Sequence, residues 1–173
     1  MESSSTPIQR DAGSVAAGAA LGAGRSFAFF AVLSVVTLAL GGWLTSLGLG
    51  EWYDALEKPP FQPAPWVFTP TWTVIFALVA YATWRVASGE GRKTAALGLY
   101  WLQLVLNAGW SLFFFTLARP DLALVEIAVL DAVVLAMVVA YGRLDRRAGA
   151  CIVPYALWLG LATAINVWIV RVH

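Results

Sequence analysis

Residues Trp52 to Thr73 read W-Y-D-A-L-E-K-P-P-F-Q-P-A-P-W-V-F-T-P-T-W-T and run straight into an apolar segment. Five prolines fall in this stretch, with tryptophans at 52, 66 and 72. Proline fixes its own φ, lacks a backbone donor and pushes the preceding residue toward extended conformations. The spacing therefore predicts an extended loop from Lys58 to Pro65, too stiff for a helix interior. An aromatic, rigid loop feeding a long apolar run marks a membrane surface and is placed to act as a lid over a ligand site.

Composition puts that loop beside a bilayer. Of 173 residues, 60% are hydrophobic and only 12% are charged, and the mean hydropathy is +0.75. A soluble domain of this size would not bury so much apolar surface. Five apolar segments lie near the roughly 20 residues that a helix needs to cross hydrocarbon: residues 27–49, 66–87, 95–118, 122–141 and 148–170. The expected fold is an all-α integral membrane protein, a five-transmembrane-helix bundle over residues 26–173 with a Pro/Trp-rich loop at 50–65. Residues 1–25 are rich in Ser, Ala and Gly and are expected to form a disordered tail. The run after Arg25 is longer than a signal-peptide core, which favours an uncleaved spanning helix.

Charge and rare residues narrow the function. Arg10, Arg25, Arg85, Arg92, Lys93, Arg143, Arg146 and Arg147 share one side of this topology, against Lys58, Arg119 and Arg171 on the other. The positive-inside rule then sets the N-terminus in the cytoplasm and the C-terminus outside. A net charge of +1, with basic residues scattered at helix ends, gives no nucleic-acid surface. Cys151 is the single cysteine and His173 the single histidine, so neither a thiolate cluster nor a histidine metal site is expected.

Two helices carry polar or aromatic stripes. On the third, Gln103, Asn107, Trp110, Ser111 and Phe114 fall on one helical face, suited to helix-to-helix hydrogen bonds or to a ligand. On the fifth, Pro154, Trp158, Ala162, Ile165 and Asn166 form a similar stripe, while Ala156, Gly160 and Ala164 form a small-residue ridge expected to pack closely. Trp43, Trp84, Trp101 and Trp168 fit interface anchors, whereas Trp72 and Trp158 sit among interior positions. In the fourth helix Glu126 is near enough to the end to snorkel toward Arg119, and Asp131 lies deeper with no intrahelical partner. Either carboxyl marks a hydrogen-bonded bundle residue or a proton path.

Four blocks, in order, carry a family resemblance: W-Y-x-x-L-x-K-P at 52–59, P-x-x-W-V-F-x-P-x-W-T at 63–73, Q-L-x-x-N-x-x-W-S-x-F-F at 103–114 and P-Y-x-x-W-x-x-x-A-T-x-x-N at 154–166. From about Phe27 onward the chain resembles the tryptophan-rich sensory protein family, also called the translocator protein or peripheral benzodiazepine receptor family. The resemblance implies a five-helix bundle that binds porphyrin, haem and other flat apolar molecules under the loop after the first helix. It implies a sensor or regulator of tetrapyrrole metabolism that commonly forms a homodimer in the lipid bilayer. Porphyrin or haem is a ligand in this reading, and no cofactor or metal is required.

By matched positions, the implied ligand-binding residues are Trp52, Trp66, Phe68, Trp72, Asn107, Trp110, Trp158 and Ala162, with Gln103 added from the polar stripe. Trp72 and Trp158 match tryptophans implicated in porphyrin photochemistry in bacterial relatives, which leaves light-dependent porphyrin degradation as an alternative function. Transport of porphyrins or other amphiphiles is a further alternative, although the chain shows no internal repeat. No acid/base pair or nucleophile constellation supports dark catalysis. The chain departs from the family pattern at Ala64, at Phe76 where a tyrosine is frequent, and after Asn166, where Val167 and Trp168 break the cholesterol-recognition pattern.

Overall fold

A computed structural model of the chain describes the backbone of residues 12–91 and 93–173, with side chains from 24 onward except 25 and 92. Its elements are α1 (Ala12–Gly48), the short α2 (Glu51–Ala55), α3 (Pro65–Ser88), α4 (Thr94–Ser111, continued by a π-helical turn over Leu112–Thr116), α5 (Pro120–Leu144) and α6 (Arg146–Val172). Among the described residues, five helices are long and apolar enough to span a bilayer, the first over Ser26–Gly48. Among the described residues there is no strand, so the chain is an all-α membrane bundle.

The helices run alternately up and down and close into a ring in the order α1, α3, α6, α5, α4. Their buried sides meet in a core that includes Val79, Ala82, Tyr100, Ile127, Val134, Met137, Ile152 and Leu159. Outward positions such as Val105 and Leu157 are apolar and exposed, as expected where the surrounding solvent is lipid.

Helix ends follow local chemistry. Pro65 opens α3 and Pro120 opens α5, where a missing amide costs nothing. Asp145 caps α6, its carboxylate accepting from the backbone N–H of Arg147 at 2.8 Å and of Ala148 at 3.3 Å. Arg85 of α3 reaches across to the same carboxylate, with Nε donating at 2.6 Å. Burial works against the charged form of Asp145, yet Arg85 and the two backbone donors prevail and hold its carboxyl below the ordinary 3.8.

Close helix approaches need glycine at two places. A Cβ on Gly48 would lie 2.0 Å from the carbonyl oxygen of Phe115, and one on Gly149 would lie 2.6 Å from Cα of Gly142. The first fits the end of α1 against the π turn, where Thr116 Oγ1 also donates to Leu44 O at 2.9 Å. The second sets the α5–α6 hairpin.

Three expectations are corrected. The 1–25 tail divides: residues 1–11 lie outside the described residues, while α1 already runs from Ala12, because the alanines there favour helix and no proline interrupts them. The ridge of Ala156, Gly160 and Ala164 divides: Ala156 packs against the main core, whereas Gly160 and Ala164 face outward from this chain and a Cβ on Gly160 would meet nothing within 4 Å. Trp168 is not an interface anchor, since its indole N–H is buried and its ring meets Phe61 of the loop.

Gly48→Ala should cost about 1–3 kcal/mol through an overpacked backbone contact, whereas Gly160→Ala should leave stability equal or slightly higher; thermal midpoints in detergent separate the two. Because the folded Asp145 carboxyl titrates below its unfolded value, its contribution is present at neutral pH and lost as pH falls below 3.8. Side-chain exposures of 29% for Arg85 and 22% for Asp145 let solvent screen the pair. Acid unfolding of Asp145→Asn should therefore show a small but distinct loss of pH dependence in that range.

Candidate functional site: an aromatic cleft between α3 and α6

Pro70 lies inside α3 and Pro154 inside α6. Each lacks the amide that would bond four residues back, so each helix goes without one backbone hydrogen bond there. Nearby hydroxyls turn onto the backbone: Thr71 Oγ1 donates to Val67 O and Thr73 Oγ1 to Thr69 O, both at 2.8 Å. Between the two proline sites lies a cleft of about 520 Å³ lined by Pro70, Thr71, Val74, Ile75, Pro154, Leu157 and Trp158. It opens away from the bundle, because Val74 is 57% and Leu157 72% exposed.

Trp158 forms the inner wall. Phe68 meets its ring edge-on at 5.4 Å and Trp72 at 6.5 Å, nearly perpendicular. Trp72 is in turn packed on Phe76 at 5.9 Å and on Tyr155 at 5.9 Å. Phe76 is thus a buried support for Trp72 with no hydroxyl to offer.

A polar chain sits behind these rings. Tyr155 Oη donates to Gln103 Oε1 at 3.3 Å and accepts from Asn107 Nδ2 at 3.0 Å. Gln103 Nε2 and the indole N–H of Trp158 are buried without a protein partner. Gln103 and Asn107 thus face the interior as their spacing predicts, tying α4 to α6.

The remaining expected residues belong elsewhere. Trp110 stacks on Phe114 at 5.1 Å, and Trp52 meets Phe114 edge-on at 6.0 Å, forming a second aromatic group under the loop. Trp110 Nε1 donates to Asn166 Oδ1 at 3.2 Å, and Asn166 Nδ2 donates to Pro120 O at 2.9 Å. Ala162 packs on the main core. Trp66, in the first turn of α3, is 76% exposed and joins neither group. Sequence reasoning missed Tyr155 as a site residue, although it stands three positions before Trp158 in the same matched block. It missed Ile75 and Leu157 because single apolar residues carry no signal of lining a cleft.

The interior carboxyls differ in their surroundings. Asp131 Oδ2 accepts from Thr163 Oγ1 at 2.7 Å, which makes it a bundle residue. Glu126 does not reach Arg119, which pairs with Asp121 at 2.6 Å. Both Glu126 oxygens are buried without a partner, and the carboxylate fits beside Gly109, where a Cβ would stand 3.6 Å from Oε1. Among the described residues no three His, Cys, Asp or Glu side chains gather as metal ligands.

This arrangement defines a class: a five-helix integral membrane bundle whose interior aromatics open onto a lateral cleft. The family model for the TspO/MBR family matches residues 29–171, and the chain belongs to that family. It is 39% identical over 123 residues to a tryptophan-rich sensory protein of Cereibacter sphaeroides, covering 71% of this chain and 77% of that protein. It is 34% identical over 140 residues to tryptophan-rich protein TspO of Archaeoglobus fulgidus, with 78% and 89% covered. Over 140 residues it is also 34% identical to the translocator protein of Sus scrofa, with 75% and 83% covered.

Tyr155→Phe leaves Asn107 Nδ2 and Gln103 Oε1 without their shared partner in a buried site. A loss of about 1–3 kcal/mol is expected from the unsatisfied groups, read as a lower thermal midpoint with unchanged helix content by circular dichroism.

Proposed function

We propose that this protein is a membrane sensor or regulator that binds tetrapyrroles, porphyrin and haem among them, at the aromatic cleft walled by Trp158. The observation that carries the reading is the Trp158 wall itself, backed by Trp72 and Phe68 and open to the lipid side through an apolar cleft of about 520 Å³. That volume falls within the usual range of about 300–1,000 Å³ for small-molecule sites. Indole and phenyl rings offer flat, polarisable surface to a planar macrocycle. The names of the relatives, sensory and translocator among them, fit a ligand-responsive membrane protein.

Recognition in this reading rests on the ring and not on a metal, since Trp158, Ile75 and Leu157 offer no iron ligand. Excited porphyrin against the Trp72 and Trp158 pair gives the photochemical alternative its one specific support, the 6.5 Å contact between those indoles. Orientation with the N-terminus in the cytoplasm is proposed from the charges at Arg85, Lys93, Arg143, Arg146 and Arg147, all at one end of the bundle.

Protoporphyrin should quench tryptophan fluorescence of the detergent-solubilised protein saturably in the dark, and haem should bind within a few-fold of the metal-free ring. Leu157→Trp, which fills the cleft from its exposed rim, should weaken quenching by about tenfold, or about 1.4 kcal/mol. Pigment loss under illumination that vanishes in Trp72→Phe would turn the assignment toward photochemistry. Absence of saturable quenching rejects the tetrapyrrole site.

A further inference from the structure

The loop between α2 and α3 is fastened to the far end of the chain by one hydrogen bond of particular chemistry. The backbone N–H of Glu57 donates to His173 Nε2 at 2.7 Å, across 116 positions of sequence. The imidazole is placed by the last turn of α6, where His173 N donates to Ile169 O at 3.2 Å. A ring nitrogen accepts a hydrogen bond only when it carries no proton. Neutral imidazole has one such nitrogen and imidazolium has none.

The other supports of the loop are of a different kind. Leu56 is buried in the outer apolar group with Phe114, Ile165 and Ile169. Phe61 meets Trp168 edge-on at 6.2 Å. Lys58 Nζ donates to Tyr53 O at 2.6 Å and lies 4.3 Å from the centre of the Tyr53 ring. The charged groups at this end are Glu51 and Asp54 of α2, Glu57 and Lys58 of the loop, the Arg119–Asp121 pair at the start of α5, and Arg171 of α6. Carboxylates ordinarily titrate near 4, lysine near 10.4 and arginine above 12. Imidazole is the side chain whose ordinary range lies between pH 5 and 8.

We propose that His173 is a proton-sensitive latch on the 56–64 loop, in which the neutral imidazole holds Glu57 against the end of α6 and protonation releases it. The sign follows from the donor. A backbone N–H facing an imidazolium N–H sets two donors against each other, so the closed loop is favoured at higher pH and loosened at lower pH. Release begins at Glu57 and loads the remaining attachment onto Leu56 and the Phe61–Trp168 contact. Those contacts sit over the Trp110–Phe114 stack, so the latch controls access to the outer end of the bundle. The latch does not depend on which molecule the cleft binds.

Hydrogen exchange of the full-length protein in lipid nanodiscs, without added ligand and corrected for the intrinsic pH dependence of exchange, tests the latch directly. Protection at Glu57 and Lys58 should fall about two- to tenfold between pH 8 and pH 5, the range that one net hydrogen bond supplies. His173→Gln keeps an acceptor that does not titrate and should hold protection level across that range. His173→Ala should show low protection at both ends. Glu57→Gln removes the carboxylate able to recapture an imidazolium and should deepen the fall. Protection that stays constant in the unaltered protein, or that falls equally in His173→Gln, overturns the proposal.

Discussion

In hydrocarbon, a backbone amide or carbonyl without a partner inside the protein is costly, because no water is present to replace it. The five long helices meet that constraint along most of their length. The informative places are those where the backbone ladder loses a donor or changes its spacing. Pro70 and Pro154 remove donors on facing stretches of α3 and α6, and the cleft lies between them. At the end of α4 the ladder shifts to a π turn, with Leu117 N donating to Leu112 O at 2.9 Å. That turn accommodates Phe113, Phe114 and Phe115 and receives the close approach of Gly48. Interior prolines in one case and a π turn in the other therefore coincide with the two aromatic groups, as expected where departures from the regular ladder are kept for packing or binding and not for span length.

Hydrogen bonds between helices give the bundle its register. Thr83 of α3 pairs with Tyr141 of α5 at 3.0 Å, Asp131 of α5 with Thr163 of α6 at 2.7 Å, and Tyr155 of α6 with Gln103 and Asn107 of α4. In membranes each such bond contributes only about 0.6 kcal/mol on average. Their value lies in direction: apolar faces slide past one another with small energetic change, whereas a tyrosine between two amides has one good position. Tyr155 fixes Trp72 by ring contact and is itself fixed by α4, so a polar network on one helix pair sets the geometry of an aromatic site on another.

The five helices were legible because each apolar run approaches bilayer thickness and is bounded by charge or proline, as at Arg119-Pro120 and Asp145-Arg146. The interior face of α4 was legible because polar residues at helical spacing avoid lipid. The matched blocks supplied most of the aromatic residues but not their grouping: Trp52 and Trp110 fall with Phe114, while Trp72 and Trp158 fall with Phe68 and Tyr155. Grouping depends on which helices are neighbours in the ring, and periodicity along one helix does not encode that. The Ala156, Gly160 and Ala164 ridge divides for the same reason, with Ala156 on the core and the other two facing outward, since small residues look alike whether they face a helix or face outward. The cleft was invisible because it needs two prolines 84 positions apart to come level across α3 and α6.

Glu126 and Asp131 show how far local surroundings separate identical chemistry on one helix. Asp131 has a threonine donor from α6 and serves the α5–α6 contact. Glu126, five positions earlier, turns toward α4 and lies against Gly109, the one position in that turn without a side chain. A Cβ there would meet the carboxyl at ordinary van der Waals contact, 3.6 Å from Oε1, so the glycine leaves the carboxyl room without being required by it. A buried carboxyl without a donor destabilises a bundle more than the amide or methyl group that would fill the same space. Packing alone therefore gives no reason for an acid at position 126. The same holds for the free amide nitrogen of Gln103 and the indole N–H of Trp158, two further interior polar atoms without protein partners. Local rules are most often broken at functional positions, and these three side chains lie on α4, α5 and α6, the helices whose hydrogen bonds hold the inner wall of the cleft.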